Sequence, residues 1–254
     1  MYLFVDPIAL WLIASRLTGW LLISPGFTEI NTPQLTRAGI IMWLSFLLLP
    51  LIGPIQGHLA TVPDLIVAAF IEFCIGAGYG FMLRLIFSAV QFGGVILDSE
   101  LGYTYAQQVN PYAATQSGVF SRLFLLLSIL YFWVFDYFRI VIAALHESFL
   151  LIPLGSLDRP VFDIGLFVKL GAALFAGGMT FAAPIIALMF FVNLSLGLLA
   201  RTVHGLQIFG EVFTLKIVVG LVGIFLLLPL FFLLMRVELE KIVPLSSQYF
   251  KFTP

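Results

Sequence analysis

The sequence predicts an all-α membrane protein of about six to eight hydrophobic helices, some of them bent or broken, and three observations carry that reading. Of 254 residues, 61% are hydrophobic and 10% charged, where a soluble domain has roughly 25% charged, and the mean hydropathy is +1.12. The 27 Phe alone bring more apolar surface than a water-soluble core of this length can hide. The apolar residues gather into blocks near 8–24, 38–52, 65–92, 119–145, 162–200 and 212–235, most of them near or above the ~20 residues a membrane helix needs. Between them lie SPGFTEINTP at 24–33, PLIGPIQGHLATVPD at 50–64 and LIPLGSLDRP at 151–160, with the Pro and Gly content of turns.

The first block has no Lys or Arg ahead of its apolar core, and its first basic residue, Arg16, is already inside it. A cleavable signal peptide is not expected and the N-terminus should be retained. The second block is short for a span. The third carries Gly76, Gly78 and Gly80, then Gly93 and Gly94, small residues spaced so that helix backbones approach closely. The fifth contains Gly177, Gly178 and Pro184, which predicts two helices or one strongly bent helix. With no internal repeat and no low-complexity tail, residues 1–254 read as a single integral membrane domain.

The positive-inside rule gives no orientation. Simple alternation of six helices puts Arg159, Arg236, Lys241 and Lys251 on one side and Arg37, Arg201 and Lys216 on the other, too even a split to use. Four charges fall inside hydrophobic blocks: Arg16, Glu72, Arg84 and Asp136. A charge at the bilayer centre costs at least about 2.5 kcal/mol, so each is expected to face protein, water or a partner. A structural ion pair or a snorkelling side chain is the plainer alternative for each one. Taken together, and with Asp98 and Glu100, they point to charges at packing or partner interfaces and to helices that do not lie in lipid as a simple row.

Several function classes drop out. A net charge of −1 without a basic patch excludes nucleic acid as a partner. Cys74 is the lone cysteine, inside an apolar run, and reads as an inert buried thiol. His58, His146 and His204 are scattered, with no HExxH or CxxC, so no metal is expected. Neither a phosphate-cradling GxxxxGK[ST] nor a GxSxG nucleophile elbow occurs, and no cofactor is implied. Asp98 and Glu100 are the carboxylate pair of the central polar region. Paired carboxylates can do acid/base work, but with no second catalytic group nearby a hydrogen-bonded loop start is favoured and the chain is not expected to be an enzyme.

The most informative stretch is GGVILDSELGYTYAQQVNPYAATQSG at 93–118. After Gly94 it supplies Gln107, Gln108, Asn110, Pro111, Thr115, Gln116 and Ser117 between two greasy blocks. Non-helical backbone at membrane depth is tolerated only where protein buries it or where it lines a water-filled cavity. The segment is an exposed loop or a re-entrant pore element, and composition leaves both open.

That stretch resembles the FliR/SctT family of type III secretion export-gate proteins, in which a glycine-led polar segment runs into Asp-Pro and then Thr-Gln-Ser. Arg16, Gly19, Pro25, Pro33 and Arg37 resemble the family's N-terminal pattern, HESFLLIPLG at 146–155 its Glu-Ser-Phe and Pro-Leu-Gly segment, and NLSLGLLAR at 193–201 its Asn-Leu segment ending in Arg. LQIFGEVFTLKIVVGL at 206–221 follows its Phe, Lys and Gly pattern. Asn110 stands where flagellar members usually carry Asp. Asp136, Tyr137, Phe138 and Arg139 replace an Asn-Gly-His-His run, and His204, Val212 and Thr214 replace Pro, Gly and Pro. Thr-Gln-Ser and Glu-Ser-Phe lean toward the flagellar branch, Leu97-Asp98 toward the virulence branch.

The resemblance implies helical hairpins in a hetero-oligomeric export gate of the bacterial inner membrane, in a flagellar basal body or an injectisome base. It implies one copy of this chain with several copies each of two smaller helical export-gate subunits, beside the switch/autoprotease and large export-gate subunits, with unfolded secreted proteins in transit. It also implies a closed-state pore plug, which on this sequence falls on Tyr103 to Gly118. A small secondary transporter or channel, with Glu72, Arg84, Asp98 and Glu100 along its path, is the rival expectation, although no corresponding pair of broken helices is visible. A purely structural assembly scaffold is a third.

Overall fold

A computed structural model of the chain describes residues 6–28, 32–52, 55, 61–102, 118–156, 164–202 and 208–240. Among these residues all regular structure is helical: α1 (Pro7–Ile23), α2 (Pro25–Thr28), α3 (Gln34–Leu48, running on into a 3-10 turn at Leu49–Leu51), α4 (Val62–Glu100), α5 (Val119–Val134), α6 (Tyr137–Leu151), α7 (Ile164–Thr202) and α8 (Ile208–Glu240). The protein is all-α, as its composition requires. Four stretches are long and apolar enough to cross a membrane: Gln34–Leu51, Val62–Glu100, Gly171–Leu198 and Thr214–Glu240. A fifth arises if α5 and α6 are taken as one broken span. At a rise of 1.5 Å per residue, α4, α7 and α8 are about 50–58 Å long, well beyond the ~30 Å of a hydrocarbon core.

Three of the helices are informative against the pattern of apolar blocks. The block at 119–145 breaks after Val134, where α5 and α6 are bent by 75°. No Gly or Pro marks the spot; Asp136 does, at φ 56°, in the left-handed region that Asp tolerates better than most residues. The long fifth block is one helix with Pro184 inside it, so of the two expected forms the division into two helices does not occur. The third block is also a single helix, and it runs past Gly93 and Gly94 as far as Glu100.

The described residues fall into two compact units. One comprises the chain up to Leu85 together with Phe132–Leu170. Its α1 starts on an N-cap, Asp6, whose Oδ1 accepts a hydrogen bond from the Ile8 N–H at 3.1 Å, with Pro7 as the first helical residue. Leu12, Ile13, Leu17, Trp20 and Leu21 of α1 are buried, and α1 packs on α3. It also meets α4 backbone to backbone: a Cβ on Gly19 would overlap the Phe73 carbonyl, and one on Gly76 or Gly80 would overlap the carbonyl of Arg16 or Trp20. Gly76 and Gly80 of the small-residue spacing therefore serve as contact points with α1. An aromatic cluster of Trp20, Phe27, Trp133 and Phe138, with ring centroids 5.3–6.1 Å apart, closes the unit beside them.

The other unit holds Ile86–Tyr131 and Gly171–Leu239. Phe231 of α8 is its hub, 5.0 Å from the Phe124 ring of α5 and 5.6 Å from the Phe181 ring of α7. The second half of α4 lies against α7 where a Cβ on Gly178 would meet Phe92 and the Ala89 carbonyl. It lies against α5 where a Cβ on Gly94 would overlap the backbone of Ser121.

Candidate functional site

Two polar centres interrupt these apolar interiors, one in each unit. The first is built on Arg16, which is fully buried in α1. Its Nε donates to Glu72 Oε2 of α4 at 2.5 Å, one Nη to Ser148 Oγ of α6 at 3.1 Å, and the other to the Ile152 carbonyl at 3.0 Å. The guanidinium carbon lies 4.0 Å from the centroid of the Phe149 ring. Glu72 uses its second oxygen, Oε1, to accept the Gly155 N–H at 3.2 Å, and the Ser148 hydroxyl in turn donates a hydrogen bond to the Leu145 carbonyl. A buried pair is tolerable only when further hydrogen bonds support it, and here each of the three guanidinium nitrogens and both carboxylate oxygens has a partner. Gly155, at φ 75°, makes the turn that brings its amide to Glu72.

The second centre lies at the edge of the polar stretch. Helix α4 ends after Glu100 with Gly102 at φ 83° and its N–H on the Ser99 carbonyl, a glycine stop of the usual kind. Helix α5 begins at Val119, and its amides are capped from 22 and 23 residues away. Asp98 Oδ1 accepts the Phe120 N–H at 2.9 Å and Oδ2 the Ser121 N–H at 3.0 Å. Two details make this reach possible. Gly94, one turn before Asp98 on the same helix face, lets the α4 and α5 backbones touch, and Gly118 leaves the space that the carboxylate fills. The end of α4 and the start of α5, which flank residues 103–117, are thereby joined.

Of the six charges singled out in the sequence, Arg16, Glu72 and Asp98 are buried, Glu100 is half-buried, and Arg84 and Asp136 are exposed on this chain. Packing within the chain accordingly buries three of them, and Asp136 belongs to a helix break rather than to a helix interior. Asp98 sits in the last turn of α4 instead of starting a loop. Gly118 is described; Tyr103, Gln107, Gln108, Asn110, Pro111, Thr115, Gln116 and Ser117 lie outside the described residues. The sequence reading missed the partners: Ser148, Phe149, the Ile152 carbonyl and the Gly155 amide on Arg16 and Glu72, and the Phe120 and Ser121 amides on Asp98. No group of three or more His, Cys, Asp or Glu placed to hold a metal ion occurs among the described residues.

The first centre joins segments that share a family likeness. Arg16 belongs to the N-terminal pattern and Ser148, Phe149, Ile152 and Gly155 to HESFLLIPLG, and the fold brings them onto one ion pair. A model of the family "Bacterial export proteins, family 1" matches residues 8–242. The chain belongs to that family. Among its relatives, the flagellar biosynthetic protein FliR of Escherichia coli K12 is 28% identical over 207 residues, covering 82% of this chain and 79% of the relative. FliR of Aquifex aeolicus is 28% identical over 223 residues, 88% of this chain and 86% of the relative. FliR of Bacillus subtilis 168 is 24% identical over 234 residues, 90% and 89% respectively. In both polar centres the buried carboxylates, Glu72 and Asp98, have each of their oxygens engaged by a donor of this chain, so the two centres read as construction points of the fold.

Proposed function

We propose that this chain is a single-copy, non-enzymatic subunit of the flagellar type III protein-export gate in the bacterial inner membrane, within the flagellar basal body. It helps to form and seal the channel through which unfolded substrates cross. Its neighbours are several copies each of two smaller helical gate subunits, with the switch/autoprotease and large export-gate subunits nearby, and energy comes from an ATPase and the proton motive force acting on other subunits. The relatives named for flagellar biosynthesis favour the flagellar machine over the virulence one. Three helices much longer than a bilayer is thick favour packing on partner helices over a row of lipid spans.

The observation that carries the reading is the join between the end of α4 and the start of α5, which flank residues 103–117. An amide-rich segment set between joined helix ends is suited to sealing a pore, because amides pack on one another yet hydrate at little cost when the channel opens. A secondary transporter is disfavoured by the same geometry. Both oxygens of Glu72 and both of Asp98 are already engaged by protein donors, which leaves neither carboxylate to carry an ion.

Shortening Gln107–Gln116 should leave assembly intact while cells carrying the gate admit small solutes that the wild type excludes; a membrane as tight as wild type would sink the plug assignment. Native mass spectrometry of the complex purified in mild detergent should find one copy of this chain with multiple copies of two small helical proteins. A chain that runs alone or as a homodimer would remove the gate reading and return the transporter to consideration.

A further inference from the structure

We propose that Arg84 marks the face on which α4 receives a helix of another subunit, and that this subunit supplies an Asp or Glu carboxylate to the Arg84 guanidinium. The proposal names the chemistry of one contact in the gate and rests on the gate reading for the existence of partner subunits.

Within the first unit, α4 carries two seams side by side. Ala68, Glu72, Ile75, Tyr79 and Met82 recur every three or four residues and are buried. Glu72 belongs to that seam, and Arg16 answers its charge. Beside it Val67, Phe70, Cys74, Ala77, Phe81 and Arg84 recur at the same spacing, and none of them is buried. A repeat averaging about 3.5 residues is the one that keeps a second helix in contact along its length. Cys74 and Ala77, in the middle of the open seam, are small enough for that helix to come close.

Arg84 is the odd member of this seam. It is exposed, and its side chain makes no hydrogen bond or ion pair among the described residues. The nearest carboxylates on the same helix, Glu72 and Asp98, lie about 18 and 21 Å away along its axis, and both oxygens of each are already engaged. A guanidinium does not shed its proton when buried, as a lysine can. Hydrocarbon would leave the charge unanswered. A headgroup phosphate answers such charges at the end of an apolar stretch, where long basic side chains gather. Arg84, however, is the only basic residue of α4, and Met82, Leu83, Leu85, Ile86 and Phe87 flank it. What fits is an acidic side chain on a helix laid along the seam. The planar fork of the guanidinium matches a carboxylate, and the apolar contacts around it keep water from the pair.

The complete complex is purified in mild detergent from cells carrying wild type, Arg84→Leu, Arg84→Lys or Arg84→Glu, and its subunits and bound phospholipids are counted by native mass spectrometry. Losing one member of a desolvated charge pair weakens association by roughly thirtyfold or more. Subunits should accordingly be largely lost from Arg84→Leu, more completely lost from Arg84→Glu, and partly kept in Arg84→Lys, which retains the charge without the fork. Changing the facing Asp or Glu of the partner subunit to Arg should restore the Arg84→Glu complex. Rescue by a change in another subunit separates a lost contact from a misfolded chain.

If Arg84→Leu brings down its subunits as wild type does, the inference is overturned and the gate reading stands. Loss of bound phospholipid with every subunit retained assigns Arg84 to a headgroup and also overturns it. So does failure of every such reversal, tried at each Asp and Glu of the co-purified subunits, to restore Arg84→Glu. A wild-type chain that comes down alone removes the gate reading, and this inference with it.

Discussion

Glu72→Leu should destabilise the protein by about 3–5 kcal/mol, because it strands a fully buried guanidinium in an apolar interior. Arg16 would keep Ser148 and the Ile152 carbonyl as partners but lose its counter-charge, and the Gly155 amide would lose its acceptor at the same time. Thermal unfolding of the detergent-purified complex, together with complex yield, measures the loss. The companion experiment separates the worth of the pair from the cost of breaking it. Replacing both partners with apolar residues, Arg16→Met with Glu72→Leu, should recover much of the loss, since a buried pair often only breaks even with a well-packed apolar substitute. Recovery would remain incomplete, because the Gly155 amide and the Ile152 carbonyl would still be unsatisfied. Wild-type stability in Glu72→Leu would show that Arg16 has another counter-charge and that the ion pair is not what joins α1, α4 and the turn after α6.

How far the sequence foretold this structure depends on the range of the interaction. Helices were legible because apolar length is a local property, and α1, α4 and α8 lie where their blocks lie. The small-residue face of α4 was legible for the same reason, since glycine spacing on a helix marks where another backbone can come close. Arg16 and Glu72 could be recognised as charges needing partners, but not as each other's partner: 56 residues separate them, and Ser148 stands a further 76 residues beyond Glu72. Nothing in a hydropathy profile encodes such pairing. Asp136 misled for a different reason. A single charge in an apolar run reads equally well as a buried ion or as a break, and what decides is a left-handed backbone that needs neither Gly nor Pro. Asp98 drew notice as half of a carboxylate pair, whereas its role follows from Gly94 one turn earlier and Gly118 across the gap, residues whose meaning appears only when α4 and α5 are side by side.

Gly76→Ala is the second substitution expected to have a large effect, and it has built-in controls. The added methyl would meet the Arg16 main chain, which cannot swing aside as a flexible side chain would, so α1 and α4 would have to separate. Overpacking of this kind costs about 1–3 kcal/mol, and the upper end is expected here because displacing α1 also stretches the Arg16 to Glu72 pair four residues away on α4. Gly39→Ala in α3 and Gly197→Ala in α7 make the same chemical change where nothing lies within 4 Å in this chain. Those two should stabilise their helices by roughly 0.5–1 kcal/mol, since glycine inside a helix carries an entropic penalty that alanine does not. Opposite signs in melting temperature for identical substitutions would establish that the third block's glycines mark helix contacts rather than loose composition. A Gly76→Ala protein as stable as wild type would mean that α1 and α4 do not touch through their backbones there, and with that contact would go the explanation of how Arg16 comes within reach of Glu72.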